Sequence, residues 1–167
     1  VSQDGGQSWR DTAGEGKGRM LDGGIPWIKG ASIHWAGCFT LDPSNSERAF
    51  VVSGNGVFMI EDLSSAEPSW TFTTRGMEET VPLDLVSIPG GPLVSVVADY
   101  DGLVTKDVRV YGPIHQPRMG TSNGIAFAGG RTNVLVRVAK KMYISEDQGR
   151  TWTECAMPVG AQGGDMP

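Results

Sequence analysis

Two carboxylates, Asp99 and Asp101, lie one residue apart in the stretch VVADYDGL, which ends an apolar run. Two negative charges this close repel each other, so Asp101 is expected to raise the pKa of Asp99. A carboxyl group with a raised pKa is suited to donate a proton as a general acid. The same pair beside Gly102 also has a purely structural interpretation, because Asp and Gly are common turn residues.

The other side chains that could do chemistry form no obvious set. Glu78 and Glu79 are adjacent but precede a strand-like run, where a structural role is favoured over a functional one. His34 and His115 are the only histidines, and their wide separation lacks the spacing of metal ligands. We therefore expect no metal and no other cofactor.

Cys38 and Cys155 are the only cysteines. Cys38 has no convincing His and Asn partners of the kind that a cysteine nucleophile requires. We expect two buried thiols that act as small hydrophobic groups, with a disulfide between them left open as the alternative.

The composition is that of a folded protein with many turns. Hydrophobic residues make up 39% and charged residues 20%, while 24 glycines and 10 prolines are spread between short apolar runs. The net charge of -5, without a basic cluster, argues against nucleic acid and anionic membranes as partners. No apolar run approaches the roughly 18 residues that span a bilayer, and no signal peptide is visible.

Short strand-like runs dominate the chain, each rich in β-branched and aromatic residues and bounded by turn residues. No segment has a sustained helical period with caps. Short strands at regular spacing predict a sandwich, a barrel or a propeller. The runs are 38–42, 48–54, 56–60, 69–74, 83–88, 93–99, 108–112, 124–129, 133–139 and 141–146.

A repeated eight-residue sequence motif, called the repeated phrase below, distinguishes among these three architectures. SQDGGQSW begins at Ser2 and SEDQGRTW at Ser145, and both fit Ser-x-Asp-x-Gly-x-Ser/Thr-Trp, with worn copies around Asp62 and Asp107. Dividing the sequence separation of Asp4 and Asp147 by three gives about 48 residues per unit. This length is typical of four-stranded propeller blades. We predict an all-β partial propeller over 1–167, made of a blade end with a long loop (1–37), blades at about 38–82, 83–122 and 123–158, and a tail (159–167).

The phrase predicts a hydrogen-bonded turn between two antiparallel strands. Its Asp accepts hydrogen bonds from the N–H groups of its own turn, its Gly takes a left-handed conformation, and its Trp packs back between sheets. A structural role is therefore expected for Ser2, Asp4, Gly6 and Trp9, and for Ser145, Asp147, Gly149 and Trp152.

This phrase resembles the Asp-box, or BNR repeat, which occurs on one fold with many activities. The sequence between the two copies resembles the family-74 glycoside hydrolases, which are xyloglucanases and oligoxyloglucan-specific cellobiohydrolases. The strings that carry the resemblance are GGIPWIKGASIHWAGCFTLDPSNSERAFVVSGNGVFMIEDL (23–63), SWTFTTRGMEETVPLDLVSIPGGPLVSVVADYDGLVTKDV (69–108) and SNGIAFAGGRTNVLVRVAKKMYISEDQGRTW (122–152). The resemblance implies two facing seven-bladed propellers that hydrolyse xylose-branched β-1,4-glucan with inversion, using one aspartate from each propeller.

The resemblance also supplies the candidate site residues. Asp99 stands where the family has the Asp of GDIGGF and is the candidate catalytic carboxylate, although Ala98 and Tyr100 depart from that motif. Cys38 is a further departure, because the family usually has Asp at the end of HWMGD. Sugar rings stack on aromatic faces and bind polar edges, so the candidate substrate contacts are Trp27, Trp35, Tyr100, Asp101, Tyr111 and His115.

The implied biology is that of a secreted, extracellular enzyme acting on a plant cell-wall polysaccharide such as xyloglucan. About three blades cannot bury their own faces, so we expect packing against the remainder of a propeller or against other copies of the chain. The alternative is a non-catalytic propeller segment that binds polysaccharide or protein, which the departures at Cys38 and Tyr100 favour. A sialidase would need a trio of arginines on the sialic acid carboxylate, whereas the arginines here are scattered and no Arg-Ile-Pro string is present. A sortilin-type receptor would usually carry a cysteine-rich module, which this sequence lacks.

Overall fold

A computed structural model of the chain describes residues 1–14, 16–28, 30 and 32–160. These residues form an almost entirely β structure with one short 3-10 helix, Pro26–Ile28, which confirms the all-β prediction. The chain divides into two compact units, Val1–Glu79 and Thr80–Pro167, and each is described by itself. In the described ranges, no helix is both long and apolar enough to cross a membrane. Most of the predicted tail, 161–167, lies outside the described residues.

The first unit holds a five-stranded sheet in the order β1-β5-β4-β3-β2. Strands β2 to β5 form an antiparallel meander, and β1 pairs with β5 in parallel. The stretch that was expected to be a long loop contains strand β1 and the 3-10 helix. Strand β1 forms there because it satisfies the backbone groups of the β5 edge, which would otherwise be open. The strands are β1 (Arg19–Leu21), β2 (Cys38–Asp42), β3 (Asn45–Ser53), β4 (Gly56–Ile60) and β5 (Ser69–Phe72).

The core of the first unit comes from the alternating side chains of its central strands. Phe58 and Phe72 pack edge to face with ring centroids 5.1 Å apart. Trp70 is buried, and its indole N–H donates to the backbone carbonyl of Thr12 at 2.9 Å. A buried indole needs such an acceptor, so this bond ties the segment before β1 to the sheet.

The second unit holds two antiparallel sheets, one of three strands and one of four in the order β12-β11-β10-β9. The three sheets found in the described residues follow the order of the three intervals predicted as blades, and their assignment to blades stays a prediction. The strands of the second unit are β6 (Pro82–Ser87), β7 (Leu93–Val97), β8 (Val104–Thr105), β9 (Gly124–Ala128), β10 (Arg131–Val138), β11 (Met142–Ser145) and β12 (Thr153–Cys155).

Both sheets of the second unit contribute to one hydrophobic cluster. Val94 and Val96 alternate inward along β7, as expected for a strand with one buried face. Trp152 lies in the same cluster and is 5% exposed. The buried members of the cluster are Ile88, Val94, Val96, Val104, Met119, Ile125, Leu135 and Trp152.

The two copies of the repeated phrase form turns with the same hydrogen bonds. The Asp4 carboxylate accepts from the N–H and the hydroxyl of Ser8 at 2.9 and 2.5 Å. The Asp147 carboxylate accepts from the N–H and the hydroxyl of Thr151 at 2.9 and 2.7 Å. The remaining bonds are also the same in both copies. The serine hydroxyl donates to the aspartate, the glycine N–H donates to the serine hydroxyl, and the indole N–H donates to the glycine carbonyl. The residues are Ser2, Gly6 and Trp9 in the first copy and Ser145, Gly149 and Trp152 in the second.

Candidate functional site

The loop that carries Asp99 is the tip of the hairpin between β7 and β8. Ser95, in β7, and Leu103, just before β8, exchange backbone hydrogen bonds of 3.0 and 3.2 Å. The N–H of Val97 then donates to the carbonyl of Asp101 at 3.1 Å. These bonds extend the β7–β8 ladder almost to the end of the hairpin and leave Asp99 exposed at its tip.

The tip has a strained backbone. Asp99 and Asp101 both lie in the left-handed region, with φ of 65° and 64°. Across Asp99, the N–H of Tyr100 donates to the carbonyl of Ala98 at 2.7 Å, and across Asp101 the N–H of Gly102 donates to Tyr100 at 2.7 Å. Three-residue turns with a positive φ at the centre are rare and strained. Such conformations persist only where the surrounding structure holds them.

Asp101 is a buried anchor, which corrects its predicted contact with a sugar. Its side chain is completely buried. One carboxylate oxygen accepts the backbone N–H of Gly120 at 2.6 Å and that of Met119, and the other pairs with the Nε of Arg118. Arg137 adds a second positive charge 3.6 Å away. The positive charges of these two arginines offset the negative charge of the Asp101 carboxylate.

His115 is also buried, so its predicted contact with a sugar does not fit the structure. Its ring is 1% exposed and lies 5.3 Å from the ring of Trp152. Burial, reinforced by the positive charge of Arg137, lowers the pKa of His115 to about 3. Arginine can only donate, so Nδ1 accepts the hydrogen bond from Nη1 of Arg137 and the proton of the neutral ring is on Nε2.

Arg137 lies at the centre of this buried cluster. Its Nη2 donates to the backbone carbonyls of Asp101 at 2.9 Å and Gly120 at 3.1 Å, while its Nε donates to the hydroxyl of Ser122. Burial lowers the pKa of Arg137 to about 10, which leaves the guanidinium charged at neutral pH. The cluster is therefore a buried cation held by carbonyl, hydroxyl and imidazole acceptors.

The two tyrosines predicted to contact substrate are half-buried in the second unit. Tyr100 occupies the loop tip next to Asp99, and Tyr111 follows β8. Both keep exposed surface, so their contact with a sugar stays a prediction.

The two tryptophans predicted to contact substrate have opposite environments in the first unit. Trp35 is 87% exposed, has a φ of 49° and lies edge-on to His34 at 6.0 Å. Trp27 is 5% exposed and packs against Phe72 at 6.4 Å. Trp35 therefore remains a candidate for stacking against a sugar ring. The sugar contact predicted for Trp27 is corrected, because this residue of the 3-10 helix packs in the core of the first unit.

No metal or thiol site emerges from the part of the chain that the structure describes. Within it, no group of His, Cys, Asp and Glu could hold a metal ion. Cys38 is an exposed free thiol at the first residue of β2, which corrects the expected buried thiol, and Cys155 is free and half-buried.

Comparison with known proteins identifies the type of chain. No family model matches it. It is 43% identical to the GH74 enzyme of Niastella koreensis over 88% of its length, with a TM-score of 0.78. The chain is a GH74 xyloglucanase-like segment. The GH74 xyloglucanase from Xanthomonas campestris matches 97% of it at 29% identity, with a TM-score of 0.84. Xyloglucanase Xgh74A of Acetivibrio thermocellus is 35% identical over 130 residues, or 70% of the chain.

The GH74-like segment is short beside these relatives. It spans 15% of the Acetivibrio thermocellus protein, 22% of the Niastella koreensis chain and 25% of the Xanthomonas campestris chain. Its sheets are of the kind found in GH74 propeller structures, which confirms the predicted resemblance and fold class.

Sequence reasoning about this GH74-like segment missed its buried arginine. Leu135, Arg137 and Ala139 occupy alternate positions of one strand-like run, and all three are fully buried. A charged residue at an inward position of an apolar strand is a signal for a buried polar cluster, because such a charge requires partners. Arg118 and Ser122 lie in an irregular segment and carried no comparable signal.

Proposed function

We propose that the chain forms part of a xyloglucan-hydrolysing glycoside hydrolase and contributes Asp99 as one of two catalytic carboxylates. The observation that supports this role is the position of Asp99, exposed at a strained loop tip, where the family motif has its Asp. Among the described residues, the Asp99 side chain has no hydrogen bond or ion pair, so its carboxylate is available to a substrate.

The proposed chemistry is inversion at the anomeric carbon of the glucan backbone. One carboxyl group protonates the leaving oxygen, while a second activates a water on the opposite face, about 6.5–9.5 Å away. Asp101 cannot be that second group, because its carboxylate is buried against Arg118 and backbone N–H groups. The partner carboxylate must therefore come from outside this loop, which agrees with the implied site shared by two propellers.

Aromatic side chains complete the proposal. Trp35 offers an exposed indole face on which a sugar ring can stack, and Tyr100 and Tyr111 offer smaller exposed surfaces. The expected substrate is a xyloglucan-like plant cell-wall polysaccharide, and the expected location is extracellular.

The first unit has an exposed apolar groove, which supports packing against further propeller structure. An apolar groove of about 750 Å³ is lined by Trp9, Phe39, Leu41 and Trp70, among others. Trp9 is 76% and Phe39 54% exposed. We propose that the remainder of a propeller, or another copy of the chain, covers this face, with the repeated phrase acting as an Asp-box that closes each blade.

The deciding experiment measures the release of reducing ends from xyloglucan. The 167-residue chain is compared with a chimera in which it replaces the matching segment of the Niastella koreensis GH74 enzyme. Asp99→Asn is introduced into both, with Asp107→Asn as the matched control, because Asp107 is a turn aspartate paired with the exposed Arg109. We expect an active chimera that loses activity only with Asp99→Asn. Full activity in the Asp99→Asn chimera would show that Asp99 is not a catalytic carboxylate.

The second candidate function is polysaccharide binding without hydrolysis. Cys38 favours it, because an exposed thiol stands where the family usually has an aspartate. Xyloglucan binding by a chimera that releases no reducing ends would establish this alternative.

A further inference from the structure

The side chain of Arg137 connects two separate loops of the second unit. It extends from β10, and its Nη2 donates to the carbonyl of Asp101, in the β7–β8 loop, and to that of Gly120, in the segment before β9. Its remaining donors reach Ser122 and His115, so each of its three nitrogens has an acceptor. The planar guanidinium holds these groups in one fixed arrangement.

Asp101 makes the connection reciprocal. Its carbonyl accepts from Arg137, and its carboxylate accepts from the backbone N–H groups of Met119 and Gly120. The N–H of Asp99 donates to the hydroxyl of Thr121 at 3.3 Å. The loop of Asp99 is thus bonded to the 118–122 segment at its backbone and at a buried carboxylate.

Hydrophobic packing alone does not require an arginine at position 137. A buried ion pair replaced by apolar residues of similar volume is often as stable or more stable, because the charges must be removed from water. The arginine here bonds to the backbone carbonyls of both loops, which an apolar side chain cannot do. The contacts therefore specify where the loops lie, in a region whose backbone is strained at Asp99 and Asp101.

We propose that Arg137 is a positioning residue that holds the Asp99 loop in its strained conformation through Asp101. The inference rests on the proposed function only for its catalytic consequence, because the loop contacts are independent of the reaction. Without the guanidinium fork, the loop is free to relax and the Asp99 carboxylate leaves its working position. A misplacement of about 1 Å in a catalytic group can reduce the rate by about a hundredfold.

The first test measures loop order directly. Arg137→Lys keeps the positive charge but removes the fork, and Arg131→Lys is the matched control, because Arg131 is an exposed residue at the start of the same strand. Amide hydrogen exchange of the 167-residue chain is followed at Tyr100, Gly102 and Gly120. We expect exchange at these amides to rise at least about tenfold in Arg137→Lys only, with the β10–β11 amides unchanged. Unchanged exchange in a folded Arg137→Lys protein would overturn the proposal.

The second test separates positioning from stability. In the chimera, Arg137→Lys is expected to lower kcat by about ten- to a hundredfold with KM changed less than about twofold. A parental kcat would overturn the catalytic part of the inference. If Arg137→Lys does not fold, Ser122→Ala removes the acceptor of Nε and is expected to show the same pattern more weakly. Full activity of Asp99→Asn would reject the proposed function, while the exchange data would still decide whether Arg137 holds the loop.

Discussion

Trp9 and Trp152 end the same hydrogen-bonded turn, yet Trp9 is 76% exposed and Trp152 is 5% exposed. In each turn the indole N–H donates to a glycine carbonyl, at 3.2 Å for Trp9 and 3.0 Å for Trp152. The local sequence thus produces one turn geometry twice. What differs is the burial of the two indole rings, and the energetic importance of each tryptophan should differ with it.

Substitution of the two tryptophans should have unequal effects on stability. Trp152→Ala removes a buried indole from the cluster of the second unit and should lower the free energy of unfolding by about 3–5 kcal/mol. Trp9→Ala should change it by no more than about 0.5 kcal/mol, because its side chain is mostly in solvent. Urea unfolding followed by far-ultraviolet circular dichroism measures both. Equal losses would show that Trp9 is covered in solution.

His115 should make stability depend on pH. Burial and Arg137 lower its pKa from 6.5 to about 3, so the folded state binds fewer protons than the unfolded state between these values. The stabilisation is complete above pH 6.5 and is lost as the pH falls toward 3, by up to about 1.4 kcal/mol per pH unit. The charged groups that face the ring are Arg137 and Asp101.

His115→Asn tests this pH dependence, since an amide oxygen replaces the Nδ1 acceptor and does not titrate. The variant should be less stable than the parent at pH 7, and the difference should shrink as the pH falls from 6.5 to 4. Urea unfolding at several pH values measures this difference. A constant difference over that range would mean that His115 titrates normally in the folded protein.

Trp35 and Trp27 should separate binding from stability in the first unit. Trp35→Ala should weaken xyloglucan binding by about three- to tenfold with little effect on unfolding, because its face is exposed. Trp27→Ala should lower stability by about 3–5 kcal/mol, because its ring packs against Phe72. Affinity electrophoresis in xyloglucan and thermal unfolding give the two readouts. Parental retardation of Trp35→Ala would remove it from the proposed substrate surface.

Gly102 should be intolerant of any side chain. Its φ is 141°, and an added Cβ would lie 1.9 Å from the carbonyl oxygen of Ser95, so the hairpin backbone would have to move. Gly102→Ala should destabilise the second unit by more than about 2 kcal/mol. Gly129→Ala is the control, because its Cβ would meet no atom within 4 Å. Equal melting temperatures for the two variants would contradict the tight approach seen here.

Much of the architecture could be predicted from local patterns. The strands alternate apolar and polar residues, and the repeated phrase contains all the donors and acceptors of its own turn, from Ser145 to Trp152. Strand β1 was less predictable, because Arg19–Leu21 pairs in parallel with β5 across a long sequence separation. Such pairing depends on an available sheet edge rather than on local propensity.

The sequence by itself determined the all-β class, the two matching turns and the resemblance that points to Asp99, because each depends on residues close together in the chain. Only the tertiary structure decided the environments of Asp101, His115 and Trp27. Their burial depends on segments brought together by folding, and their residue types are equally common on binding surfaces. Arg137 shows the same distinction, since its partners Asp101 and Ser122 are 36 and 15 residues away in sequence. A side chain's role in such a cluster follows from which charges and backbone groups surround it, and no local pattern specifies that arrangement.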